Sequence, residues 1–199
     1  MNRRFVIPNL IPLLIFSFVC FSWGDDFSFR KTKWGMSMQE VKNSETVKPM
    51  DGEGWDTENV LAYKIRVLKK DVLLLYIFVE NKLIRAKYML MERHTNKNSF
   101  IQDYKDFKKV LTEKYGEPMK DDVLWLNDLY KDDYSDWGTA ISLGHLTHYA
   151  TWETAVTEIT CFLYGENYEI TCGVEYSTKN SALLNIVKES EKKKKMENF

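Results

Sequence analysis

A chain of 199 residues carries 28 basic and 29 acidic side chains, and 14% of its residues are aromatic. That near balance excludes the clustered basic face that nucleic acid requires, and the composition is that of a folded globular protein. The length suits one domain, or two small halves sharing a sheet.

The N-terminus stands apart. Arg3 and Arg4 precede an apolar run from Leu10 to Phe21, which stops at Ser22-Trp23-Gly24. A basic start, a short apolar core and small residues three and one before a cut make a secretory signal peptide. Cleavage is placed after Gly24, so residues 1–24 form the leader. The run falls short of the roughly 20 residues of a spanning helix, and Pro12 interrupts it. No transmembrane segment is therefore expected after cleavage. Phe18 and Val19 precede Cys20, unlike the small residues before a lipid-anchor cysteine. An exported protein, periplasmic or extracellular, is expected.

Residues 25–180 then read as one α+β domain, divisible into halves at 25–95 and 96–180. Phe27 to Gly35 is a short extended piece. Ser37 and Glu40 have the spacing of a capping box, with Met36 and Val41 as the hydrophobic staple, which predicts a helix from Met38 to Glu45. Val47 to Asn59 is rich in Gly, Asp and Pro and reads as loop. Leu61, Tyr63, Ile65 and Val67 alternate with Ala62, Lys64 and Arg66, the pattern of a half-buried strand. Val72 to Val79 and Leu83 to Met91, joined at Glu80-Asn81-Lys82, complete an antiparallel meander of three.

The clearest helix follows. Phe100, Ile101, Tyr104, Phe107, Val110, Leu111 and Tyr115 recur at helical spacing. Ser99 with Gln102 can start it, Gly116 can close it, and Pro118 forbids continuation. Val123 to Tyr130 reads as a strand and Lys131 to Trp137 as an acidic loop. Thr139 to Leu143 and Tyr149 to Glu153 read as shorter strands. Residues 181–199 make a terminal helix, Ser181 to Lys188, and a charged, solvated tail.

Thr157 to Tyr176 forms a hairpin of two alternating runs around Gly165-Glu166-Asn167-Tyr168. With the turn centred between Glu166 and Asn167, Ile159 faces Val174, Cys161 faces Cys172 and Leu163 faces Ile170. All six then share the core face, while Glu158, Thr160, Phe162, Thr171 and Glu175 share the other. This register sets Glu158 against Glu175, an unfavourable pair. In an oxidising compartment Cys161 and Cys172 in register could form a disulfide; two reduced cysteines packed as small hydrophobes is the other reading. Residues 75–86 also lie over 161–172 with Glu-Asn at both turns, a faint internal repeat. Duplication and shared hairpin chemistry account for it equally. An antiparallel sheet with helices packed on one face, in two α-βββ-like halves if the repeat is real, is the expected architecture.

Trp34-Gly-Met-Ser-Met-Gln-Glu-Val41 resembles the helix opening of small outer-membrane assembly lipoproteins of the SmpA/OmlA type. Tyr115-Gly-Glu-Pro118 followed by Trp125 is similar to a later segment of that family. The resemblance covers these two segments. It implies a fold near that of the β-lactamase inhibitor proteins and a role in binding other proteins. The chain also looks like uncharacterised exported bacterial proteins that open with the same Trp-Gly-Met-Ser pattern.

No residue pattern points firmly to chemistry. His145 and His148, with Glu153 nearby, invite a metal reading, but three-residue spacing on a strand puts the two rings on opposite faces. Asp128 to Gly138 lacks the alternating oxygens and closing glutamate of a calcium loop. Ala140-Ile-Ser142-Leu-Gly144 faintly echoes a nucleophile elbow, without the following helix and parallel sheet that make one work; Ser142 reads as a strand serine. Cys161 and Cys172 lack redox-motif spacing. No catalytic, metal or cofactor-binding residue, and no cofactor, is assigned.

Trp125, Trp137, Tyr149 and Trp152 remain as a candidate binding surface, since aromatics dominate binding hot spots, although they are also ordinary core residues, the reading that burial statistics favour. The expected function is that of an exported non-enzymatic protein that binds another protein or an envelope component through its sheet face. The alternatives are a small secreted hydrolase or metal-dependent enzyme using Ser142, His145 or His148, and a carrier of lipid or another small ligand.

Overall fold

Three turns with two left-handed residues each set the hairpins: Leu68-Lys69, Glu80-Asn81 and Asn167-Tyr168 all have positive φ. Paired residues of this kind make type I′ turns, whose twist matches that of the strands they join. The computed structural model describes residues 27–50 and 58–197. The expected leader, residues 1–24, lies outside the described residues.

Among the described residues seven strands form one sheet: β1 (Val60–Val67), β2 (Lys70–Val79), β3 (Lys82–Leu90), β4 (Lys120–Trp125), β5 (Leu146–Glu153), β6 (Thr157–Glu166) and β7 (Glu169–Thr178). Their order is β1-β2-β3-β7-β6-β5-β4, and every pairing is antiparallel. Among the described residues four α-helices accompany them: α1 (Met38–Ser44), α2 (Ser99–Tyr115), α3 (Trp137–Ser142) and α4 (Ser181–Glu197). This is the α+β architecture read from the sequence. β3 and β7 pair at the centre, each the last strand of its own run.

Alternation along the strands sorts the side chains. One face carries Tyr63, Leu74, Tyr76, Ala86, Val174, Tyr176, Ile159, Cys161, Leu163, Ala150 and Trp152, all buried. Helix α2 lays Ile101, Tyr104, Phe107 and Leu111 onto this face over β5, β6 and β7, and Val41 of α1 is buried with the first meander. Phe29 fills the middle, its ring 5.6, 5.3 and 4.7 Å from those of Tyr76, Tyr88 and Tyr176. The capping box at Ser37 and Glu40 is formed. Gly116 closes α2 with φ +85° and its N–H on the Thr112 carbonyl. At the other end Asn98, not Ser99, holds the cap position, and its side chain turns instead to α3.

Three expectations are corrected. The cysteine hairpin turns at Asn167-Tyr168, so Cys161 faces Val174 and Cys172 faces Leu163. Both cysteines are buried and free, and the register argument for a disulfide falls. The new register also parts Glu158 from Glu175, which face Ser177 and Thr160. Gly165 explains the shift: a Cβ there would overlap the Ile141 carbonyl oxygen and stand 2.6 Å from that of Glu169. It is a glycine of close approach, kept inside β6, and not a turn residue.

The second correction is α3, a helix where a strand was expected over Thr139 to Leu143. Its start is supplied from a distant segment: the Asn98 side chain accepts from Gly138 N–H at 2.5 Å and donates to the Tyr134 carbonyl at 2.8 Å. Tertiary contact overrides the local alternation here. The third concerns lengths: β4 ends at Trp125, β5 begins at Leu146, and α4 runs on to Glu197.

Candidate functional site on the open face of the sheet

The side of the sheet turned away from α2 and α3 carries a row of residues running across the strands. Asp122 faces Tyr149, Tyr149 faces Phe162, Phe162 faces Gly173, Gly173 faces Met89 and Met89 faces Leu73. Alongside runs a second row: Lys120, Thr151, Thr160, Glu175, Lys87 and Leu75. Tyr164, opposite Thr171, adds a further ring at 5.7 Å from Phe162. Helices α2 and α3 lie on the other face, and α4 packs against β2 and β3. Among the described residues, this second face is therefore bare of helix over β4 to β7.

Its composition is mixed. Tyr149 and Phe162 are half-buried by their neighbours, and Tyr164 is 45% exposed. Tyr149 is hydrogen-bonded to Asp122, which holds its hydroxyl above the ordinary range. Glu175 pairs with Lys87 at 2.6 Å and with Arg85 at 3.4 Å. The tip of the Phe162 ring reaches over Gly173, where a Cβ would stand 3.1 Å from it. Rings held by a rigid sheet, with threonine hydroxyls beside them, give contact area at small entropic cost.

The four aromatic residues singled out from the sequence do not form one patch. Trp152 is core, with Nε1–H donated to the Gly116 carbonyl at 2.8 Å. Trp125 and Trp137 meet edge to face, 5.5 Å apart, on the helix side. Tyr149 alone belongs to the open face. Phe162 and Tyr164 were missed, although Phe162 stands out as an aromatic on the hairpin face that is otherwise polar.

The residues considered for chemistry are placed as follows. Ser142 ends α3 rather than lying on a strand, is fully buried, and donates its hydroxyl to the Thr139 carbonyl at 2.9 Å. Lys97 Nζ donates to Ser142 Oγ at 2.8 Å. His148 is buried against Tyr104 and Trp137, and His145 stacks on Tyr130. No hydrogen bond links either imidazole to Ser142. Burial, with Lys105 and Lys108 nearby, lowers the His148 pKa to about 4. Among the described residues no three His, Cys, Asp or Glu side chains come together in a way that could hold a metal ion, and no helix is long and apolar enough to cross a membrane.

A half-open cleft of about 610 Å³ lies on the helix side, lined by Phe27, Phe29, Arg30, Tyr88, Tyr115 and Tyr176 among others. Arg30 there is held by Glu45 through two hydrogen bonds of 2.9 and 3.0 Å.

Comparison with protein-family models, with curated proteins and with solved structures finds no match to this chain.

Proposed function

We propose that this chain is an exported, non-enzymatic protein that binds another protein, or a component of the cell envelope, on the open face of its sheet. The observation that carries this reading is the Tyr149–Phe162–Tyr164 cluster on a sheet face bare of helix. Buried aromatic rings are the usual outcome in a folded chain; rings displayed on a rigid, half-polar face are suited to a partner. The face carries both signs of charge, which fits a protein surface better than a polyanion. The basic start and short apolar run at the N-terminus support export. The resemblance of Trp34 to Val41 and of Tyr115 to Trp125 to the assembly lipoproteins points the same way.

The test is partner capture. Phe162→Ser combined with Tyr164→Ser removes two rings without touching the helix-side core. Affinity purification from the native compartment should recover a discrete partner with the parent protein and lose it with the double variant. Equal recovery by both proteins would refute the reading.

A hydrolase reading has one observation in its favour, the 2.8 Å approach of Lys97 Nζ to Ser142 Oγ. That oxygen is buried and its proton is committed to Thr139. A fluorophosphonate probe that labelled Ser142 in the folded protein would revive it.

A further inference from the structure

Residues 27–34 lie on the helix side of the sheet as a strap. Its turn closes through the Ser28 and Thr32 N–H groups, which bond the Thr32 and Phe29 carbonyls at 2.9 Å each. Trp34 Nε1–H fastens the strap to Thr157 Oγ1 of β6 at 2.8 Å. The half-open cleft of about 610 Å³ lies where this strap, the last turn of α2 and the β5–β6 turn meet. That volume is within the range of small-molecule sites, roughly 300–1,000 Å³. Its floor is stiff, because Phe29, Tyr88 and Tyr176 pack on one another with ring centres 5.3, 4.7 and 6.1 Å apart. Tyr115, and Phe27 at the rim, add two more rings to the wall.

The charged side chains in that wall, Arg30 and Lys114, are both cations. Glu45, which is not part of the wall, takes the Nε and one Nη hydrogen of Arg30, and a guanidinium has further donors to give. Lys114 has no acidic partner among the described residues, and its ammonium stands 4.9 Å from the centre of the Tyr115 ring. The two cations converge on the Tyr88 hydroxyl: burial raises its pKa, and Arg30 and Lys114 pull the other way. The C-terminal end of α2 works against an anion, but Gly116 N–H and Trp152 Nε1–H already occupy the Thr112 and Gly116 carbonyls there. A cationic ligand, which rings alone would suit, meets like charge in this cleft. We infer that the cleft binds an aromatic carboxylate, its head group on Lys114 and Arg30 and its flat body on the floor of rings. A flexible alkyl chain fits such a floor less well, because it gives up more rotamer freedom on binding.

Isothermal titration calorimetry with 2-naphthoate as the probe tests this on the full chain. The parent protein should bind it with a Kd on the order of 100 μM, ordinary for a molecule of that size. The neutral 2-naphthylmethanol and the alkyl acid decanoate should each bind at least about tenfold more weakly. Lys114→Met keeps an apolar stem on an exposed position of α2 and removes the ammonium; it should weaken 2-naphthoate at least about tenfold and leave the alcohol unchanged. Lys109→Met, on the outer side of α2, should bind as the parent does. Phe162→Ser combined with Tyr164→Ser, on the opposite face of the sheet, should also bind as the parent does, which separates the cleft from adsorption to the open face. Absence of 2-naphthoate binding at millimolar concentration would overturn the proposal. So would an alcohol or decanoate that binds as tightly, a Lys114→Met protein that binds like the parent, or binding lost with the Phe162 and Tyr164 rings. Partner capture reads the open face, so failure here leaves that reading intact.

Discussion

Gly173 of β7 sits under the ring of Phe162, whose tip lies 3.1 Å from where a Cβ on Gly173 would stand. The same Cβ would overlap the Tyr88 carbonyl oxygen on β3. One missing side chain thus permits both the central β3–β7 pairing and the close approach of Phe162 over Gly173 on the open face.

Gly173→Ala should therefore cost about 2 kcal/mol or more, because the overlap is with backbone that cannot turn aside. Urea unfolding should show a lower midpoint with an unchanged slope. Partner capture should weaken too, as Phe162 lifts from its seat. An alanine variant as stable as the parent would show that β3 and β7 are further apart than described.

Lys70 and Asp103 tie the first meander to α2, with Nζ and Oδ1 at 2.6 Å. His94 Nε2 reaches the other carboxylate oxygen at 2.5 Å, and Asp106 meets Lys70 at 3.0 Å. Burial lowers the pKa of the Lys70 ammonium, but its bonds to Asp103 and Asp106 outweigh this and hold it above its usual range. Asp103→Asn should cost about 2 kcal/mol, since it leaves the partly buried Lys70 with Asp106 as its one acidic partner and removes the carboxylate that His94 meets. Lys70→Met combined with Asp103→Leu should recover much of that loss. Denaturant midpoints of the two single variants and the double variant check the cycle.

His148 gives the protein an acid-sensitive point. Its folded pKa is about 4, set by burial first, then by Lys105 and Lys108, and opposed by Asp121; an unfolded histidine titrates near 6.5. The unfolded chain thus binds the extra proton between those values. The contribution of His148 to stability is fully present above about pH 6.5, falls as pH drops towards about 4, and is constant below that. The span is on the order of 3 kcal/mol at 1.36 kcal/mol per unit. His148→Leu should flatten the melting temperature against pH in that window. A variant with the parent's slope would show that His148 is already solvated.

Cys161 and Cys172 should be silent to thiol reagents in the folded protein. Burial raises both pKa values well above the ordinary thiol range. Alkylation under native conditions, followed by mass spectrometry without reductant, should find both unmodified and unbridged. Unfolding in denaturant should then label both. A bridged species in exported protein would contradict the offset register of the hairpin.

Much of this fold was legible in local pattern. The Ser37–Glu40 box, the apolar stripe of α2 and the alternation in β2 and β6 each follow from one element's own residues. What was not legible depended on segments far apart in the chain. Gly165 resembles a turn glycine until Ile141 is placed against it. Residues 139–142 alternate like a strand until Asn98 supplies the helix start at Gly138. The site suffered most: Trp125, Trp137 and Trp152 share a residue type with Tyr149 but not a face, and only strand pairing separates them. Phe162 was the available signal, an aromatic on the polar side of its hairpin.

Site-specific photocrosslinking tests the binding face most directly. A photoreactive amino acid placed at Tyr164, and another at Lys109 on the exposed outer side of α2, would be irradiated in the native compartment. A discrete adduct from position 164 and none from position 109 is the predicted result. Identical adducts from both positions, or none from position 164, would contradict the open sheet face as the place where this protein meets its partner.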